Sequence, residues 1–124
     1  MTSFPNEAAD APDRIASRHV FEARIRIRID RDGRKLSLLG WARDLSESGL
    51  SAFAAETLAM SEDVTLEVPL PNSHRQVIPA IVVRALGTEY GFQFTALSAE
   101  QRRLILTVLK ESPAIPFDAN RRAL

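Results

Sequence analysis

Apolar and charged side chains alternate strictly between residues 24 and 29, and this pattern restricts the possible folds more than any other feature of the sequence. Every second position is an isoleucine: Ile25, Ile27 and Ile29. Every position between them is an arginine: Arg24, Arg26 and Arg28. A period of two is typical of a strand that buries one face and exposes the other. We therefore predict a strand over residues 20–29, with the arginines on a solvent face where their charge discourages edge pairing.

Five further segments have the alternation or the composition of short strands. They cover residues 35–43, 50–54, 64–68, 77–83 and 90–94. Turn-forming residues follow the first strand, and Gly87 separates the last two. Pro79 lies inside one segment and predicts a sheet edge or a bulge there. Six short strands without helical patterns between them favour an antiparallel barrel over a parallel α/β sheet.

One helix is predicted after the last strand. Ser98 and Gln101 have the spacing of a capping box, in which each side chain binds the backbone N–H of the other residue. Four apolar side chains follow at helical spacing: Leu104, Ile105, Val108 and Leu109. The helix is expected to stop before Pro113. The predicted fold class is therefore all-β with a C-terminal helix.

The length of the chain, 124 residues, allows one compact domain. Residues 1–13 are small, acidic and proline-containing, which predicts a flexible N-terminal arm. The domain itself is predicted to cover residues 14–111. Residues 112–124 are predicted to form a loose C-terminal tail.

Composition argues against several functional classes. The chain has no cysteine and only two histidines, which excludes disulfides and argues against a metal site. No apolar stretch reaches the roughly 18 residues that a membrane span needs. The first twelve residues contain none of the basic residues of a secretory signal. We therefore predict a cytoplasmic protein with no membrane insertion, no metal and no cofactor.

The distribution of charge is uneven although the net charge is zero. Sixteen basic residues balance sixteen acidic ones, so the chain as a whole has no attraction for a nucleic acid polymer. Residues 14–43, however, contain nine basic and three acidic residues, a local net charge of +6. Most of the basic residues are arginines, whose planar guanidinium donates paired hydrogen bonds to phosphates and base edges. This part of the chain favours an anionic ligand.

Two short motifs stand out in and beside this region. Residues 14–18 have the pattern RxxxR just before the first strand, and residues 44–49 have the pattern DxSxxG after the second. Together with the Tyr-Gly-Phe-Gln-Phe strand at 90–94 and the helix, this order of motifs resembles the PilZ domain family. The resemblance extends from Arg14 to Lys110. It implies a six-stranded antiparallel PilZ-type β-barrel, in a bacterial protein that binds the second messenger cyclic di-GMP.

The resemblance implies a set of ligand-binding residues, and their chemistry suits two guanines and two phosphodiesters. The set is Arg14, Arg18, Asp44, Ser46, Gly49 and Arg84. The two motif arginines, on a mobile arm, would fold over the ligand and bind a phosphate or guanine O6 and N7. Asp44 would accept from guanine N1–H and N2–H₂, and Ser46 would offer its hydroxyl. Gly49 is expected to permit positive φ and a close approach of backbone to ligand.

Three other positions receive their own interpretation. Arg84 would either stack on a guanine face or be an exposed barrel arginine, and the sequence does not decide between these. Trp41 is predicted to pack within the second strand rather than to stack on the ligand. Asp13 stands where many relatives have a further arginine, and its carboxylate would repel phosphate and limit the number of ligand molecules bound.

Four alternatives compete with a ligand receptor. Asp44 and Ser46 would also suit a turn with no ligand. A PilZ-type adaptor that binds no ligand would usually lack the motif arginines, which this chain has. A barrel that binds single-stranded nucleic acid needs exposed aromatics beside basic residues, and only 6% of the residues are aromatic. An enzyme is not expected, because no cysteine, histidine triad or glycine-rich nucleotide loop is present.

The predicted function is therefore that of a second-messenger receptor without catalytic activity. Binding of cyclic di-GMP through the two motifs would order the N-terminal arm against the barrel. The ordered arm would change how the domain binds an unidentified downstream protein, because a ligand shifts the population towards the conformation that it binds better.

Overall fold

The structure, a computed structural model, describes residues 17–116 of the chain. The described residues form six strands and one helix, and their order is β1 His19–Arg31, β2 Arg34–Leu45, β3 Gly49–Ala54, β4 Asp63–Pro69, β5 Arg75–Leu86, β6 Glu89–Phe94 and α1 Ala99–Glu111. The strands pair as antiparallel neighbours in a closed barrel of order β1-β2-β3-β6-β5-β4. The predicted fold class is confirmed. The predicted arm, residues 1–13, lies outside the described residues.

The alternation in β1 separates the core from solvent as predicted. The three isoleucines of this strand are buried in the barrel with the inward residues of the other strands. The three arginines between them are exposed. Arg28 Nη1 donates to Glu67 Oε2 on β4 at 2.8 Å, and Arg26 Nη1 donates to Ser37 Oγ on β2 at 2.9 Å. Side-chain hydrogen bonds thus connect the solvent-exposed face of β1 to both neighbouring strands.

A two-residue turn joins β1 to β2. Arg31 and Arg34 pair directly across the hairpin, and the residues between them, Asp32 and Gly33, have φ values of 54° and 77°. Two successive positive φ values match the right-handed twist of the flanking strands. Aspartate and glycine tolerate this conformation better than other residues do, because a short polar side chain or no side chain avoids the clash with the carbonyl.

The proline in β5 lies where β6 has ended. Pairing between β5 and β6 begins at Ala80 and Phe94, one residue beyond Pro79. The Pro79 carbonyl accepts from Thr95 N at 2.9 Å, so the missing N–H of the proline faces the end of β6 and removes no bond from the ladder. The register irregularity of β5 lies further along, between Val82 and Arg84.

Helix α1 begins at the predicted capping box. Gln101 N donates to Ser98 Oγ at 3.0 Å, and Ser98 N donates to Gln101 Oε1 at 3.1 Å. The four predicted apolar residues are buried. Gln101 Nε2 also donates to Val77 O at 3.0 Å. The first turn of the helix is therefore attached to β5.

The residues after the helix correct the prediction of a loose tail that begins at residue 112. Val20 N donates to Pro113 O at 3.0 Å, and Ile115 N donates to Arg18 O at 2.7 Å. His19 pairs with Ala114 as an antiparallel bridge between these two bonds. No sequence pattern predicts this contact, because a pairing of three residues over such a separation leaves no periodicity. Residues 113–115 therefore fix the backbone at the start of β1.

Candidate functional site

A row of cross-strand partners runs over the outer wall of the barrel and contains two of the predicted site residues. The row, read from β1 to β5, is Val20, Asp44, Ser51, Gly91 and Arg84. Register irregularities in β1, β2 and β5 lie beside this row, between Val20 and Ala23, Ala42 and Asp44, and Val82 and Arg84. Such bulges change the direction in which a side chain points. They allow Asp44 and Arg84 to face the same patch of surface.

A pocket of about 320 Å³ lies over this row. Five of the six predicted site residues line it: Arg18, Asp44, Ser46, Gly49 and Arg84. The sixth, Arg14, lies outside the described residues. Arg18 of the first motif and three residues of the second are thus brought to one place, although they lie at opposite ends of the β1–β2 hairpin in sequence.

Asp44 is the buried acceptor of the site. Its carboxylate accepts a hydrogen bond from Ser51 Oγ at 2.8 Å, and Arg18 Nη2 lies 3.3 Å from Asp44 Oδ2. The side chain of Asp44 is 7% exposed, whereas that of Arg18 is 39% exposed. A buried carboxylate requires such partners, because an uncompensated charge away from water is costly. The pair therefore joins a fixed anion to a cation that is still open to solvent.

The backbone of Arg18 is held more firmly than the sequence suggested. We expected both motif arginines to lie on a mobile arm, but the Arg18 carbonyl is fixed by its bond from Ile115 N. Its main chain is thereby part of the barrel wall. Only the side chain of Arg18 has to move in order to exchange Asp44 for another partner.

Ser46 shapes the turn between β2 and β3. Its Oγ lies 3.2 Å from both Ser48 N and Gly49 N, which donate to it, and Ser46 N donates to Gly49 O at 2.8 Å. These bonds satisfy N–H groups of a turn that is buried at Ser46 and Gly49 and exposed at Glu47 and Ser48, which is the turn-forming role expected of serine. Ser46 therefore has the structural role that a turn without a ligand would require. A role of its hydroxyl in ligand binding stays a prediction.

Gly49 is required for a different reason from the predicted one. In the described range the glycines with positive φ are Gly33 and Gly87, so Gly49 does not have the predicted conformation. A Cβ built on it would lie 1.9 Å from the Phe92 carbonyl oxygen, a distance that real Cβ atoms do not show. The backbone of β3 therefore approaches β6 too closely for any side chain at this position. The close approach is to another strand, and it fixes the wall beside the pocket.

Arg84 lies flat over Gly91, its partner on β6. A Cβ at Gly91 would lie 3.2 Å from Arg84 Cβ and 3.5 Å from Arg84 Cζ, so the glycine makes room for the guanidinium. Arg84 forms no ion pair with any residue in the described range 17–116. Arg84 is exposed and lines the pocket, and a planar guanidinium is suited to stacking on an aromatic base.

Two residues of the site were missed by the sequence analysis. Gly91 carried a usable signal, because a glycine inside a strand often marks a close approach of other atoms. Ser51 carried none, since a serine between Leu50 and Ala52 has the same pattern as any outward-facing residue. Only the pairing of β2 with β3 identifies Ser51 as the partner of Asp44.

The pocket combines two guanidinium groups, one buried carboxylate and the polar atoms of a tight turn. Such a set can bind a planar ligand that has negative charge and a hydrogen-bonding edge. Within residues 17–116 no group of histidine, cysteine and carboxylate side chains could hold a metal ion. The helix in that range is also too short and too polar to cross a membrane.

The fold is that of a small antiparallel β-barrel domain with a helix after the last strand. The family model for the PilZ domain matches residues 12–111, and the chain therefore belongs to the PilZ domain family. A comparison with curated proteins found no match.

Solved structures that share the fold include two PilZ domains. The PilZ domain of CeSA from a cellulose-synthesizing bacterium is 19% identical, with a TM-score of 0.58 over 76% of this chain and 95% of that one. The PilZ domain of YcgR from Escherichia coli, solved with c-di-GMP, is 12% identical, with a TM-score of 0.59 over 79% and 89%. The Bacillus subtilis inhibitor of motility, MotI/DgrA, is 15% identical, with a TM-score of 0.62 over 79% of this chain and half of that one.

Proposed function

We propose that this chain is a receptor for cyclic di-GMP and has no catalytic role. The observation that carries the proposal is the convergence of Arg18, Asp44 and Arg84 on one pocket, although the three residues come from distant parts of the sequence. Membership of the PilZ family supports the proposal, and so does the YcgR structure, which was solved with c-di-GMP. Because cyclic di-GMP is a bacterial second messenger, we place the receptor in the bacterial cytoplasm.

Each group of the pocket would bind a different part of the ligand. The planar face of Arg84 would stack on one guanine, with Gly91 leaving the space for this arrangement. Asp44 would accept hydrogen bonds from N1–H and N2–H₂ of a guanine, and Ser51 holds the carboxylate in position for this. A phosphate has no such donors, so Asp44 supplies selectivity for the base.

Arg18 would change partner when the ligand binds. Its guanidinium lies 3.3 Å from Asp44 and is exposed on its other side, so a short side-chain movement brings it to a phosphate or to guanine O6 and N7. Arg14 would act from the same side, four residues earlier. Two phosphodiester charges would then face the guanidinium groups of Arg14, Arg18 and Arg84.

The signal would pass through the arm. Residues 1–13 precede Arg14, and a ligand bound by Arg14 and by the fixed wall of the barrel favours the arrangement in which the arm covers the pocket. The covered pocket would present a new surface to an unidentified downstream protein. An adaptor that binds no ligand is the competing function, since the Arg18–Asp44 ion pair already satisfies both charges.

Isothermal titration calorimetry with cyclic di-GMP separates the two functions. We expect saturable heat with a dissociation constant of about 10 µM or lower, equivalent to roughly −7 kcal/mol, and little heat with GMP or GTP. Arg84→Ala should weaken binding at least about tenfold, a change of roughly 1.4 kcal/mol. The matched control is Arg26→Ala, since Arg26 lies on the wall but outside the pocket. Absence of heat at about 100 µM ligand, far above a micromolar constant, would leave the adaptor as the better account.

A further inference from the structure

Four large apolar side chains lie exposed on the outer wall of the barrel, and we call them the outer apolar strip. Their exposed fractions are 57% for Leu39, 44% for Trp41, 36% for Phe53 and 66% for Leu86. Trp41 pairs directly with Phe53, Phe53 pairs with Glu89, and Glu89 pairs with Leu86. The strip is therefore continuous across β2, β3, β6 and β5, with one acidic residue inside it.

Trp41, predicted to pack within the second strand, has a side chain that is 44% exposed, and the reason is steric. Its neighbours on β2, Gly40 and Ala42, occupy the inward positions. A Cβ on Gly40 would already lie 3.0 Å from Ile27 Cδ1 and 3.1 Å from Ile25 Cγ1. The isoleucines fill the core so closely that this strand contributes only small inward residues here. A tryptophan and a leucine on the other face are thus left in water, which commonly marks a protein-binding surface.

Positive charge flanks the strip on its β1–β2 side. Arg43 Cζ lies 5.2 Å from the centroid of the Phe53 ring, and Arg24 is the cross-strand partner of Trp41. Neither guanidinium forms an ion pair with a residue of the described part of the chain. Arg26, by contrast, has Glu67 at 3.9 Å and a hydrogen bond to Ser37. Arg24 and Arg43 are therefore the charges that remain for a partner.

The strip adjoins the ligand pocket. Phe53 lies two residues after Ser51 on β3, and Leu86 lies two residues after Arg84 on β5, so each pair shares one face of its strand. The pocket and the strip are consecutive rows of the same wall. A partner seated on the strip would also contact the border of the pocket.

We propose that the outer apolar strip binds a segment of another protein that carries aromatic or aliphatic side chains together with aspartate or glutamate. The apolar side chains would cover Trp41 and Leu39, and the carboxylates would pair with Arg24 and Arg43. Tryptophan and arginine are the residues that most often dominate binding energy at interfaces. This proposal does not depend on cyclic di-GMP, because every contact that it uses is present in the barrel itself.

Two other occupants fit the strip less well. A second copy of this chain is disfavoured when the two-fold axis runs along the strip, because Arg24 and Arg43 would then face the same arginines of the partner. Addition of a partner strand to a sheet edge requires a free edge, and a closed barrel removes the edges of its strands. The partner must therefore dock through side chains on the face of the wall.

Selection from a library of random peptides tests the proposal, with peptides of about 15 residues, which span about 22 Å when helical and so cross the strip. The chain is used whole, and the Phe53→Ser variant serves for counter-selection. We expect the enriched peptides to combine Asp or Glu with large apolar side chains. Trp41 is the only tryptophan of the chain, so its fluorescence reports burial of the strip directly. Each enriched peptide should shift this emission to shorter wavelength in a saturable manner.

Charge reversal provides the decisive comparison. Arg24→Glu combined with Arg43→Glu should weaken the selected acidic peptides at least about tenfold, or roughly 1.4 kcal/mol. Val77→Ser and Arg34→Glu, which change an exposed apolar residue and an exposed charge outside the strip, should leave the affinity unchanged. All four altered side chains are exposed, and retained thermal unfolding confirms that each variant folds.

Three results would overturn the proposal. Enrichment of basic peptides, or of peptides that bind the Phe53→Ser variant equally well, would show that the strip does not recognise an acidic apolar segment. An emission of Trp41 that does not respond to the selected peptides would place their site elsewhere. Sedimentation that reveals a dimer of the free chain, dissociated by Trp41→Ser, would make a second copy the occupant.

Discussion

The two connections that flank β2 are made in opposite ways. The β1–β2 turn places Asp32 and Gly33 at positive φ in open solvent, where a Cβ on the glycine would meet no atom within 4 Å. The β2–β3 connection buries Asp44 and Ser46 and places Gly49 against the backbone of β6. The first connection needs a glycine for its conformation, whereas the second needs one for space. The second forms the wall of the pocket that contains Asp44 and Arg84.

This difference explains why the β2–β3 connection contains more polar side-chain contacts than the β1–β2 turn. An exposed turn has water to satisfy its backbone, so any residues with the required φ suffice. A partly buried turn has less access to water, and the Ser46 hydroxyl accepts from two of its N–H groups. The polar groups that solve this structural problem are then held rigidly beside Asp44, where a ligand can use them.

The largest expected effect concerns the two glycines. Gly49→Ala should destabilise the domain by about 3 kcal/mol or more, because the new Cβ meets a backbone oxygen that cannot rotate away. Gly33→Ala should cost only about 1–2 kcal/mol, the strain of alanine at positive φ. Urea unfolding of both variants measures the contrast. Equal losses would mean that the two connections are not different in kind.

The second prediction compares the ligand affinity of variants at the pocket with that of a variant at the β1–β2 turn. Arg18→Ala should weaken cyclic di-GMP by roughly 1.5–3 kcal/mol, the usual contribution of a charged hydrogen bond. Asp44→Ala should weaken a guanine ligand more than a simple phosphate, because only the base offers donors to the carboxylate. The control is Arg34→Ala at the β1–β2 turn, which should bind as the wild type does.

Thermal unfolding of the same variants shows whether a loss of ligand affinity is caused by a loss of folding. Arg18 is partly exposed, and Ser51 Oγ still donates to the Asp44 carboxylate in its absence, so Arg18→Ala should unfold within a few degrees of the wild-type temperature. Unfolding of this variant at ordinary temperature would show that the ion pair with Asp44 serves the fold rather than the ligand.

Sequence patterns predicted the barrel well and the wall of the pocket less well. The period of two in β1 and the capping box at Ser98 are local, so the strand and the start of the helix could be recognised directly. The motifs identified Asp44, Ser46 and Gly49, but the close approach behind Gly49 depends on how β3 packs on β6. That packing is a long-range property with no local pattern.

Bulges account for a further part of what the sequence did not reveal. The irregularities before Asp44 and Arg84 decide which face these residues occupy, and simple alternation does not predict them. The exposure of Trp41 also could not be recognised, because it follows from the volume that the isoleucines of β1 occupy inside the barrel. The role of Arg18 depends on its bond from Ile115, which lies far along the chain.

A smaller effect is expected from the hydroxyl of the buried turn. Ser46→Ala should cost about 1 kcal/mol of stability, because Ser48 N and the buried Gly49 N lose their acceptor. The exposed turn has no counterpart to this bond, and Asp32→Asn should be nearly neutral, since asparagine also tolerates positive φ. Urea midpoints of the two variants test this, and a neutral Ser46→Ala would remove the structural role that we assign to the hydroxyl.

The smallest effect concerns pH at the end of the barrel that carries the β1–β2 turn. The hydrogen bond from Arg31 lowers the pKa of Glu62, because it favours the charged carboxylate in the folded state. This pair therefore stabilises the fold above the ordinary glutamate pKa, and the contribution is lost as the pH falls through that value towards the lowered folded pKa. Glu62→Gln should flatten this part of the stability profile in urea unfolding at several pH values. Ligand affinity at neutral pH should not change, and a large loss of affinity would connect this end of the barrel to the pocket.

The most direct test of the central claim is an NMR titration of the chain with cyclic di-GMP, followed at each backbone amide. We expect saturable shifts that are largest over residues 44–51 and at Arg18, Arg84 and Gly91, where the outer wall forms the pocket. The amides of residues 30–34, in the exposed turn, should stay in place and serve as the internal reference. Shifts centred on the β1–β2 turn, or no shifts at ligand concentrations of about 100 µM, would contradict the account.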